Sequence, residues 1–226
     1  MKRIGSIIVF LFVMNIIRSQ TVDFRPEWAF GVNAGITLSR IDFLPRIPQT
    51  LLLQESGGLT ARYISEKNCG IWVELNFALR GWKEEVDTVS HFNHYSRSLS
   101  YIELPALTHF YYDLGKWARM MLNVGPQISY NVGEKVLEKE IVNPPDGTDP
   151  YIPRYYDKDY TVQRKFDYGI AGGLGLEIRT KIGIFILEGR YYYGLSDVFN
   201  NTRADVFQNS HNQVISAKLG YLIERK

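Results

Sequence analysis

Apolar and polar residues alternate with period two along several long stretches of this 226-residue chain. In the first, Trp28, Phe30, Val32, Ala34, Ile36 and Leu38 share one face, and Ala29, Gly31, Asn33, Gly35, Thr37 and Ser39 share the other. Side chains alternate across a strand, so each such stretch predicts a strand with one greasy face and one small or polar face. The third stretch sets Ile71, Val73, Leu75, Phe77 and Leu79 against Trp72, Glu74, Asn76, Ala78 and Arg80. The fifth sets Met120, Leu122, Val124, Pro126, Ile128 and Tyr130 against Arg119, Met121, Asn123, Gly125, Gln127 and Ser129. The last sets Ile215, Ala217, Leu219, Tyr221 and Ile223 against Val214, Ser216, Lys218, Gly220 and Leu222. Weaker alternation over 53–64, 98–112, 165–179 and 182–195 brings the total to about eight strands of roughly 10 to 15 residues. Globular strands usually run about 5 or 6 residues, whereas a tilted membrane strand needs about 9 to 11.

The connections alternate as well. Tight turns are predicted at Glu66-Lys67-Asn68, at Asp113-Leu114-Gly115-Lys116 and at Thr180-Lys181, and long connections over about 42–52, 84–97, 133–163 and 197–211. Short and long alternate strictly, as in a membrane barrel with short periplasmic turns and longer extracellular loops. Outward aromatics then gather at two levels. Trp28, Phe30, Phe110, Tyr112 and Tyr221 fall at the periplasmic level, and Tyr130, Phe166, Tyr168, Tyr191 and Tyr193 fall near the outer one. These observations predict an all-β fold, an eight-stranded antiparallel up-and-down transmembrane β-barrel in a bacterial outer membrane.

Its main rival is a soluble lipocalin-like barrel, which points apolar side chains inward around a ligand. The minority face carries Arg62, Glu74, Arg80, Glu103, Arg119, Glu177, Arg179, Glu188, Arg190 and Lys218, and His109 joins it on the fourth strand. In a membrane barrel these side chains form a structural charge network inside the lumen, paired as buried charges must be. In the soluble barrel they face water. Strand length and loop parity favour the membrane.

Composition adds detail. Aromatic residues reach 14%, with 15 Tyr and 12 Phe, types that suit strands and membrane interfaces. A net charge of +2 gives no bulk attraction to nucleic acid, and none is expected as a partner. Cys69 is the single cysteine, so no intrachain disulfide forms. Lys2 and Arg3 precede an apolar run over Ile4–Ile17, followed by Ser19 and Gln20, the plan of a secretory signal peptide. Residues 1–19 are thus expected as the signal and 20–226 as the barrel domain. No later apolar stretch reaches helical-span length.

The run Tyr101-Ile102-Glu103-Leu104-Pro105, followed by Met121-Leu122-Asn123-Val124-Gly125-Pro126-Gln127, resembles the PorT-like outer-membrane barrel family of Bacteroidota-type bacteria. The segment Gly169-Ile170-Ala171-Gly172-Gly173-Leu174-Gly175-Leu176-Glu177, the pair Glu188-x-Arg190-Tyr191 and the ending Lys218-Leu219-Gly220-Tyr221 are similar to it too. The resemblance spans about 28–223 and implies a barrel; the family's namesake takes part in protein secretion and gliding. From the residues themselves, Pro105 and Pro126 should sit at bulges or local breaks of the ladder. Gly172, Gly173 and Gly175 should let the wall bend or admit a long side chain opposite. The glycine run lies inside a strand and precedes no helix, so it is no nucleotide loop.

Candidate chemistry is sparse. His91 and His94 fall in the second long loop without Cys, Asp or Glu at ligand spacing, and read as solvated. His109 shares its inward face with Glu103 and Tyr111 but has no identifiable serine beside it, and His211 at the outer rim has no recognisable partner, so neither reads as a catalytic base. The third long loop interleaves Pro144, Pro145, Pro150 and Pro153 with Tyr151, Tyr155, Tyr156 and Tyr160, which suits an extended surface loop, either partner-binding or merely solvated. The expectation is a barrel without catalysis or cofactor, its lumen plugged by side chains, surrounded by outer-membrane lipid and meeting protein partners through its long loops. A rim-active hydrolase and a narrow channel are the alternatives.

Overall fold

A computed structural model describes residues 26–85, 94–141, 152–157, 160–202 and 205–225. The expected signal segment, His91, Pro144, Pro145, Pro150 and Tyr151 lie outside the described residues. The strands are β1 Glu27–Leu44, β2 Gln49–Thr50, β3 Leu52–Glu66, β4 Cys69–Glu84, β5 His94–Asp113, β6 Ala118–Glu140, β7 Phe166–Arg179, β8 Ile184–Asp197 and β9 Asn209–Arg225. Eight of them form an antiparallel ring in the order β4-β3-β1-β9-β8-β7-β6-β5, closed by pairing of β4 with β5. The two-residue β2 pairs with the outer end of β4. Closure satisfies the backbone within the wall, which a bilayer demands.

The tight turns fall where alternation stops. At Lys67-Asn68, Asn68 adopts φ 70°, a left-handed conformation that Asn tolerates, and its side-chain amide donates to Tyr111 O at 2.8 Å. At the turn before β8, Gly183 has φ 150°, and a methyl built there would lie 2.6 Å from the Tyr221 ring. Parity of short and long connections holds, but the strands are longer than expected. β5 has 20 residues and β6 has 23, paired as far as His94↔Glu140. Segments assigned to loops, 94–97 and 133–140, are therefore sheet. A span needs only about 9 to 11 residues, so this hairpin stands above the bilayer.

The β4–β5 ladder skips at Pro105, from Val73↔Ala106 to Asn76↔Glu103, and the β5–β6 ladder skips at Pro126, from Pro105↔Gln127 to Thr108↔Val124. Register is unchanged across both gaps, so each proline marks a local break and no bulge. On its other side Pro126 pairs with Ile170 in an unbroken β6–β7 ladder, so its break is confined to the β5 side. Among the glycines, Gly173 faces inward, where a methyl would land on Glu188 Oε1 and lie 3.2 Å from Arg190 Cβ. Gly175 makes similar room for Met121. Gly172 faces outward and would meet nothing.

The faces sort as alternation requires. Trp28, Val32, Ile36, Leu75, Leu122, Leu174 and Leu219 are exposed on the outer wall, while Asn33, Glu74, Asn76, Asn123 and Gln127 are buried inside. A lipocalin-like arrangement is the reverse of this. Trp28 stacks against Phe30 and Tyr63 at the periplasmic end, and Tyr130 pairs with Phe166 at the outer end. Leu75 lies six residues from the periplasmic start of β4, deep in the span. Leu75→Arg should destabilise the barrel in vesicles by about 2–4 kcal/mol, and Leu114→Arg in a periplasmic turn by no more than about 1 kcal/mol. Equal losses in urea titrations would contradict this depth assignment.

Candidate functional site

The lumen is filled in three charged layers. Near the periplasmic mouth, Arg62 pairs with Glu177, Arg119 with Asp113 at 2.5 Å, and Arg179 with Glu27 at 2.7 Å and Glu224 at 2.5 Å. His109 lies beside this layer. Its Nδ1–H donates to Asn123 Oδ1 at 2.7 Å, and its ring stacks between Trp72 and Tyr111.

In the middle layer Arg190 grips Glu74 with two hydrogen bonds, of 2.9 and 2.7 Å. Lys218 Nζ donates to the same carboxylate at 2.9 Å, as do Trp72 Nε1 and Asn76 Nδ2, each at 2.6 Å. Arg190 also pairs with Glu188 at 2.8 Å, which accepts from Asn123 Nδ2 at 3.1 Å. Two cations thus face two carboxylates, and the fork of Arg190 matches both.

The outer layer centres on Arg80, which pairs with Glu103 at 2.5 Å and Asp167 at 3.0 Å and lies over the Tyr192 ring at 4.4 Å. Asp167 also accepts from the Tyr192 hydroxyl, Ser196 and Asn212. Arg62, Glu74, Arg80, Glu103, His109, Arg119, Glu177, Glu188, Arg190 and Lys218 are all buried within the lumen. Among the described residues no ion pair joins one layer to the next, and His109 has no ionic partner but reaches Glu188 of the middle layer through Asn123. Asp167, Asp113, Glu27 and Glu224 complete the layers and were missed by the sequence reading.

Above the charges lies an aromatic cap that alternation did not bring out. Phe43, Trp82, Tyr95, Phe199 and Phe207 pack with Tyr155, Tyr156 and Tyr160. Phe43 lies 4.2 Å from Phe207 and 5.4 Å from Trp82, and Tyr95 stacks on Tyr156 at 4.1 Å. This corrects the reading of the third loop as an extended surface loop. Pro153, Tyr155, Tyr156 and Tyr160 are buried, and a 3₁₀ turn at Arg154–Tyr156 aims two rings into the mouth. Burial drives it, since each ring removes a large apolar area from water. The Tyr156 hydroxyl bonds Glu84, and Arg97 donates to Tyr160 O at 2.7 Å, tying the loop to the hairpin of β4 and β5. Burial, then the neighbouring Glu84 carboxylate, pushes the Tyr156 hydroxyl above the usual tyrosine range, and burial raises Tyr160 likewise. Both phenols stay neutral at physiological pH.

His94 and His211 sit at the outer rim. His94 begins β5 rather than lying in a loop, and His211 donates from Nδ1 to Ser196 O at 3.2 Å. Among the described residues, no group of three or more His, Cys, Asp or Glu is placed to hold a metal ion.

Comparison with known proteins supplies the family. The family model described as an outer membrane protein beta-barrel domain matches residues 19–200. A comparison with curated protein sequences finds no match. Among solved structures the chain is similar to Neisserial surface protein A, with 13% identity over 88% of this chain and 99% of that one and a TM-score of 0.47. It is similar also to Ail, the attachment invasion locus protein of Yersinia pestis, with 13% identity over 87% and 99% and a TM-score of 0.40. The N-terminal barrel of Pseudomonas aeruginosa OprF gives 10% identity over 85% and 97%, with a TM-score of 0.33. The family model's match ends before β9, the strand that pairs with both β1 and β8. The chain is thus a bacterial outer-membrane protein and belongs to the outer membrane protein β-barrel domain family.

Proposed function

We propose that this protein is a non-catalytic barrel with a structural or interaction role, an accessory to secretion or surface assembly. The observation that carries this reading is the filled lumen. Three charged layers and an aromatic cap occupy the space a solute would cross, so the surface open to a partner is the outer rim. The sheet there rises above the bilayer and exposes Lys135, Leu137 and Lys139. The resemblance of its motifs to the PorT-like family supports the same role, because that family's namesake takes part in secretion.

In-cell crosslinking from Leu137, followed by identification of the captured protein, tests the proposal. An envelope secretion or surface-assembly protein should be captured by the wild type and lost with Leu137→Glu, the barrel remaining folded. Capture of membrane lipid alone would overturn it. So would a hydrolytic activity of the purified protein that His211→Ala or His109→Ala abolishes in a folded barrel.

A further inference from the structure

Two hollows lie on the lipid-facing side of the same strand pair, β7 and β8. The outer one, about 490 Å³, is lined by Arg164, Lys165, Phe166, Tyr168, Leu195, Ser196 and Asp197. The deeper one, about 530 Å³, is a groove floored by Gly172 and Gly189 and flanked by Leu122, Leu174, Tyr191 and Ile215. A methyl built on either floor glycine meets nothing within 4 Å, so these positions leave real space in the wall.

The chemistry of the two hollows is ordered. The outer one sits beside the girdle rings Phe166 and Tyr168, where the polar headgroups of a bilayer lie. Its backbone is held on both sides: Asn131 N donates to Lys165 O at 2.7 Å, and Arg164 N donates to Val198 O at 3.2 Å. Asp197 accepts from Ser210 N at 2.7 Å and from Asn201 Nδ2 at 3.1 Å, and lies 3.8 Å from Arg164. Arg164 Nη2 donates to Asn201 Oδ1 at 3.0 Å, so Lys165 is the cation of the hollow that no carboxylate of the lining engages. Among the described residues no carboxylate pairs with Lys165. The deeper groove is apolar. Seven residues separate Lys165 from Gly172, which is roughly 18 Å of depth at a rise of about 3.3 Å and a tilt of about 40°. Half of a hydrocarbon core about 30 Å thick is about 15 Å, so a lipid anchored at Lys165 brings the end of an acyl chain to the groove.

We infer that the β7–β8 face is a binding site for one phosphorylated glycolipid of the outer leaflet, with phosphate on Arg164 and Lys165 and an acyl chain over Gly172 and Gly189. Cations beside a bilayer attract anionic headgroups, and the girdle rings flank the sugar-phosphate level.

The test is native mass spectrometry of the full barrel released from phosphatidylcholine nanodiscs doped with equal amounts of lipid A or of phosphatidylglycerol. One lipid A should stay bound to the wild type. Lys165→Gln and Arg164→Gln should each lower its retention roughly fivefold. Gly189→Leu, which fills the groove from the lipid side, should lower retention while the protein keeps its heat-modifiable migration. Retention of phosphatidylglycerol equal to that of lipid A would overturn the inference, as would retention unchanged by the cation variants or by Gly189→Leu.

Discussion

Glu74→Ala is expected to destabilise the folded barrel by about 3–5 kcal/mol, because it leaves buried cations unpaired. Glu74 is the common acceptor of the middle layer, taking two bonds from Arg190 and one from Lys218. Without it Arg190 keeps Glu188, but Lys218 keeps no carboxylate among the described residues. Trp72 Nε1 and Asn76 Nδ2 also lose their acceptor. Glu188→Ala should cost less, since Arg190 retains its two-bond grip on Glu74. Urea titration in phosphatidylcholine vesicles, followed by tryptophan fluorescence, reads both. A loss below about 1 kcal/mol for Glu74→Ala would mean that water has replaced the pairing, and the layer would not be a sealed element.

Trp82→Ala should cost a similar amount, about 3–5 kcal/mol, by a different mechanism. Trp82 is completely buried, in edge contact with Phe43 and Phe199 and near Tyr95. Its removal opens a cavity between the β4–β5 hairpin and the loop bearing Tyr155 and Tyr156. Trp82→Phe should retain most of the stability. The same titration checks it: a wild-type midpoint for Trp82→Ala would show that the rings merely rest on the mouth.

Much of the barrel was legible because a period-two pattern is local. Trp28 to Ser39 announces its strand, its lipid face and its lumen face without reference to any other segment. The charged lumen residues could be placed on the inner face for the same reason. Their partners could not, because Arg62 meets Glu177 and Glu74 meets Arg190 across more than a hundred residues of sequence. Such pairs depend on the stagger of the whole ring.

The outer half failed for two further reasons. Val132 is an extra residue opposite the Ser100–Tyr101 step, and a second shift follows at Ser96/Arg97, so alternation in β6 changes phase and 133–140 reads as loop. In β1 and β4 the phase persists, but the inner face turns from polar to aromatic. Ile41 and Phe43 continue the positions of Thr37 and Ser39, and Trp82 continues Arg80. That continuity was the available signal for the cap. Tyr155, Tyr156 and Tyr160 lie in an aperiodic loop and carried no phase to follow.

A sealed lumen is the claim on which the functional reading depends, and single-channel recording of the refolded protein in planar bilayers tests it most directly. The charged layers and the cap predict a flat current trace at every applied voltage, from protein shown to be inserted. Steady, reproducible ion-current steps would contradict the account and restore the narrow channel as the function of the barrel.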